Sequence, residues 1–139
     1  MPPAVVRFGP EAVSNSEATT QGVHVEVESR FSPPHSKPGV WFFLYRVRIS
    51  NRGGERVQLI SRHWIIRDAT GRVEEVTGAG VVGDQPVLEP GESYEYTSGC
   101  PLATPFGSMR GTYQMVTAGG SHFDAQIAEF MLREPGAIH

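Results

Sequence analysis

WFFLYRVRISN, residues 41–51, places Phe43, Tyr45, Val47 and Ile49 at every second position, with Arg46 and Arg48 between them. A two-residue period gives a strand one apolar and one charged face, so this stretch is predicted to lie in a sheet with one side buried. Upstream, Val23, Val25 and Val27 alternate with His24, Glu26 and Glu28 in the same way and mark a first strand. The intervening SPPHSKPG, residues 32–39, carries three prolines, which remove backbone donors and predict an extended surface loop.

Downstream, Arg52-Gly53-Gly54-Glu55 supplies a turn, and RVQLISRHWIIRD, residues 56–68, runs on as a long third strand. A second turn at residues 68–71 leads into RVEEVTG, the fourth strand, and residues 93–98 form the fifth. Residues 100–108, with two prolines and a glycine, are expected as a long loop before a sixth strand at 110–117. Gly119-Gly120 signals a hairpin into a last strand from His122 towards Leu132. In it Phe123, Ala125 and Ile127 are out of phase with Phe130 and Leu132, which a bulge near Ala128 and Glu129 would correct. About seven short strands without a helical period predict an all-β antiparallel sandwich. Residues 1–21 lack periodicity and are expected as a flexible tail, 22–134 as the domain and 135–139 as a C-terminal tail.

A chain of 139 residues has room for one core, and 39% hydrophobic with 19% charged residues is a globular composition. The net charge of −3 argues against a general attraction to nucleic acid. A single cysteine, Cys100, rules out an internal disulfide and suits a reduced setting. No stretch has membrane-spanning length and the first residues lack a signal-peptide core, so a cytoplasmic protein is expected, a monomer or weak homodimer.

Three blocks, QLISRHWIIRD (58–68), VTGAGVVGDQPVLEPGESYEYTSGCPLATPFGSMRGTYQM (76–115) and FDAQIAEFML (123–132), resemble the ApaG family, also called CorD. The resemblance covers almost everything after Gly22 and implies a fibronectin type III-like sandwich. One departure is Ile127-Ala128, where the family usually carries Ile-Pro. The family is associated by name with cobalt and magnesium resistance and with the operon of a diadenosine tetraphosphate hydrolase. Related domains in eukaryotic F-box proteins and a polymerase-delta-interacting protein look like interaction modules. The resemblance therefore implies a non-enzymatic binding or regulatory module whose partner is another protein.

Gly78, Gly80 and Gly83 fit a G-x-G-x-x-G pattern, but Asp84, Gln85 and Pro86 follow instead of a helix, so the dinucleotide context is missing. The glycines are expected either to connect strands or to form a backbone nest for an anion, and residues 78–86 are the candidate contact loop. Arg62, Arg67 and Arg110 are candidate anion contacts, the other reading being that they are solvated or pair with Asp68, Glu74 and Glu75. A phosphate-containing small ligand held by this loop is thus the alternative to a protein partner. His24, His35, His63, His122 and His139 lack metal-site spacing, so no metal and no cofactor is expected. Cys100, Ser61, Ser98 and Ser108 have no nucleophile context, and no catalytic residue is assigned. Tyr113 is expected to bond a neighbouring loop in the manner of a tyrosine corner.

Overall fold

The computed structural model describes residues 13–136. The alternation over residues 41–51 becomes β3 (Trp41–Asn51), in which Phe43, Tyr45, Val47 and Ile49 are buried and Arg46 and Arg48 exposed. It pairs antiparallel with β2 (Val23–Phe31), Val25 opposite Ile49 and Val27 opposite Val47. Each such side chain withdrawn from water contributes roughly 1.5–3 kcal/mol, which locks the register because a slip of one residue would expose the whole set.

The described residues hold seven further strands: β1 (Val13–Thr20), β4 (Val57–Asp68), β5 (Val73–Ala79), β6 (Val87–Leu88), β7 (Ser93–Leu102), β8 (Phe106–Thr117) and β9 (His122–Arg133). One sheet has the order β1-β2-β3-β7 and the other β5-β4-β8-β9, with the two-residue β6 beside β4. The antiparallel sandwich encloses one core, centred on Trp64. Its ring meets Tyr45 at 5.4 Å, Phe130 at 5.9 Å and Tyr113 at 6.2 Å, all edge-on.

Two bulges decide which side chains face that core. Opposite Met109 to Gly111, β9 carries an extra residue at Ala128 and Glu129, which returns Phe130 and Leu132 to the inside as expected. In β4 the register shifts between Leu59 and Ser61. Val57 and Leu59 point inward before the shift and Trp64 after it, so Arg62 is swung from the solvent side to the core side, opposite Tyr113.

Three expectations need correction. The tail expected over residues 1–21 contains β1; the rest of that tail, 1–12, lies outside the described residues, as does most of the C-terminal one. β1 has no apolar alternation, but Ser14, Ser16 and Thr20 bring hydroxyls to the edge of β9. Ser16 Oγ donates to Ala128 O at 2.7 Å, while Met131 N donates to Ser14 Oγ and Gln126 N to Thr20 Oγ1. At these three groups side chains take the place of a neighbouring strand. The loop expected over 100–108 is a tight connection, because β7 runs to Leu102 and β8 starts at Phe106; Pro101 is tolerated since β7 is an edge strand. Tyr113, finally, bonds the hydroxyl of Tyr96 inside the core and not a loop. In the proline-rich 32–39 segment, residues Pro33–His35 form a short 3-10 turn.

Candidate functional site

With β1 closing one flank against β9, the opposite flank lies between the edges of β7 and of β5 and β6. The glycine loop is built there. β5 leaves the edge at Gly80, whose N–H donates to Ile60 O, and the chain rejoins β4 where Leu59 N donates to Pro86 O. β5 and β6 are thus one edge strand interrupted by an excursion. Gln85 repairs the gap, its Nε2 donating to Ile60 O at 2.9 Å and its carbonyl accepting from Gln58 Nε2.

Within the excursion Val81 is fully buried and plugs the mouth of the core. Val81 and Asp84 exchange two backbone hydrogen bonds of 2.8 Å around Val82 (φ 41°) and Gly83 (φ 87°), the two-residue hairpin turn with both central residues left-handed. Asparagine or glycine ordinarily occupies the first of these positions; a β-branched residue there is an outlier that costs roughly 1–2 kcal/mol. Val82 is also 58% exposed, so its burial among the described residues does little to offset that cost. Asp84 ties the loop to the other sheet by accepting from the Tyr94 hydroxyl at 2.7 Å, which raises the Tyr94 pKa.

The glycines have separate physical reasons. A Cβ at Gly80 would stand 2.3 Å from Asp84 O, and the φ of 63° disfavours a side chain as well. A Cβ at Gly78 would stand 2.8 Å from Arg62 Nη1, because that guanidinium crosses β5 to donate to Ala79 O (3.1 Å) and Gly80 O (2.9 Å). Gly83 has open space around it and is needed for its φ alone.

Of the three candidate anion contacts, only Arg62 reaches the loop. Arg67 lies five residues further along β4, roughly 16 Å away at strand spacing, and its side chain is exposed on the other face. Arg110 pairs opposite Ile65 and is exposed on the outer face of its sheet. Nη1 of Arg62 is shared between two carbonyls, and the amides of Gly80, Val81 and Asp84 are spent on backbone oxygens. A phosphate drawing on these amides would displace their backbone bonds and sit in the same loop as the Asp84 carboxylate.

Below Arg62 the core is polar. Burial raises the pKa of Tyr45, Tyr96 and Tyr113, keeping all three phenols protonated. Burial first, and then the charge of Glu74, pushes the Cys100 thiol up to about 12, so it is not a nucleophile at neutral pH. Among the described residues no three His, Cys, Asp or Glu side chains gather as a metal site, and no helix is long and apolar enough to cross a membrane. His63 instead meets Glu75 at 2.7 Å, and His24 lies 2.6 Å from Thr19 Oγ1 and 3.3 Å from Glu26.

Residues 32–117 match the family model described as the ApaG domain. The chain is 58% identical over 124 residues to Protein ApaG of Anaeromyxobacter sp. (strain K), covering 89% of this chain and 99% of that protein. It is 57% identical over 121 residues to Protein ApaG of Methylorubrum populi, covering 86% and 93%. A crystal structure described as the putative ApaA protein from Bordetella pertussis superposes with a TM-score of 0.80 at 53% identity, covering 83% of this chain and 95% of that one. The matched span runs from the turn before β3 to the end of β8 and so includes the Arg62 strap, the Val81 plug and the strained turn: the chain belongs to the ApaG family.

Proposed function

We propose that the chain is a non-enzymatic interaction module that meets another protein through the tip of the loop at residues 80–86. The observation that carries this reading is Val82, apolar, exposed and held in a left-handed conformation that its side chain disfavours. Strain of this kind persists where the residue's chemistry matters outside the fold. Val87, 49% exposed on the neighbouring β6, extends the apolar surface along the same edge. Loops carried on a rigid sandwich are common contact elements, and a partner-facing apolar residue set among polar neighbours is a usual anchor.

The test compares proteins retained from the native host by immobilised wild-type chain, Val82→Asp and Val73→Asp, each first checked for an unchanged fold. Val73, 47% exposed at the far end of β5, is the control. The reading predicts a specific species retained by wild type and Val73→Asp and lost by Val82→Asp. Equal retention by all three would contradict it.

A further inference from the structure

We propose that two copies of the chain pair through β5, antiparallel about a two-fold axis at Val76, so that Glu74 of each copy faces Arg62 of the other. The proposal is independent of the loop-tip reading.

Among the described residues β5 pairs only with β4, and its ladder has a fixed phase. Asp68 N donates to Arg72 O and Gly80 N to Ile60 O, so even-numbered residues of β5 bond inward to β4 and odd-numbered ones present N–H and C=O to the open edge. The excursion at 80–86 does not cover this edge, because Val81 and the Asp84–Tyr94 bond turn it across the mouth of the sandwich towards β7. On the opposite flank the β1 hydroxyls already bond Gln126 N, Ala128 O and Met131 N of β9.

An open edge accepts only a strand whose charges fit. Directly opposed residues of antiparallel strands share a face, so the core-side residues Glu74, Val76 and Gly78 must oppose core-side residues of the partner. Centring the pair on Glu74 or Glu75 would set identical carboxylates against each other. Centring it on Val76 sets Glu74 opposite Gly78, over which the Arg62 guanidinium lies where a side chain would be. On the outer face the same register places Glu75 opposite Thr77. Among the described residues none of the ion pairs uses Glu74 or Arg62, so both charges are available to the partner. Two seven-residue strands make a small contact, which predicts weak, concentration-dependent association.

The experiment is analytical ultracentrifugation of the full chain from micromolar to millimolar concentration. Glu74→Arg should weaken the dimer at least about tenfold by setting like charges together. Thr77→Pro, which removes an edge-facing N–H and leaves the β4 ladder intact, should abolish it. In a Cys100→Ala background, Val76→Cys should oxidise to a disulfide-linked dimer, since opposed strand residues lie within disulfide reach, whereas Val87→Cys should not. A chain that stays monomeric at millimolar concentration overturns the proposal. So does a dimer insensitive to Glu74→Arg and Thr77→Pro, or one that Val76→Cys fails to link.

Discussion

The guanidinium of Arg62 occupies the space that a side chain at position 78 would need: a Cβ on Gly78 would lie 2.8 Å from Nη1. The glycine of the loop's first position is therefore a consequence of the arginine, and the arginine is on the core side only because β4 bulges between Leu59 and Ser61.

Gly78→Ala should cost about 1–2 kcal/mol by forcing Arg62 off the Ala79 and Gly80 carbonyls. Urea unfolding of the single and double variants checks this, because in an Arg62→Met background the same change should cost little. Gly80→Ala should cost about 3 kcal/mol in either background, since its clash is with the backbone oxygen of Asp84. Equal penalties for Gly78→Ala with and without Arg62 would contradict the strap.

Val82→Asn should stabilise the fold by about 1 kcal/mol, because asparagine tolerates the left-handed region, raising Tm by about 3 °C. If the loop tip is a contact as proposed, the same variant should retain less of any protein that wild type captures, a trade of stability for contact. A thermal melt that falls would show that the turn does not strain Val82.

Alkali should unfold the protein in a way that Cys100 controls in part. Its folded pKa of about 12 lies above the ordinary 9.0, so its contribution is complete below pH 9 and is lost as pH rises towards 12. The loss amounts to about 1.4 kcal/mol per pH unit, and the buried tyrosines add the same sign above pH 10. Urea midpoints between pH 8 and 10 should fall for wild type and fall less steeply for Cys100→Ala; identical slopes would contradict it.

Much of this architecture is legible in sequence where apolar residues alternate. β2 and β3 are read directly, and the β9 bulge follows from the odd step between Ile127 and Phe130. The same odd step separates Leu59 from Trp64 in β4, and it is the signal that places Arg62 inside and Arg67 outside. β1 escapes an apolar pattern search because its buried-side alternation is one of hydroxyls, Ser14, Ser16 and Thr20, whose purpose depends on β9, more than a hundred residues away. The loop's glycines announce a turn, but only the fold reveals that Val81 is a plug and Val82 its strained tip.

Replacing Val82 with a photoreactive aliphatic residue in the native host, beside Thr97 on the exposed outer face of β7 as control, tests the loop tip most directly. A discrete cross-linked species between the chain and one other protein is expected from position 82 and none of that mass from position 97. Irradiation products that are the same from both positions, or absent from position 82, would contradict it.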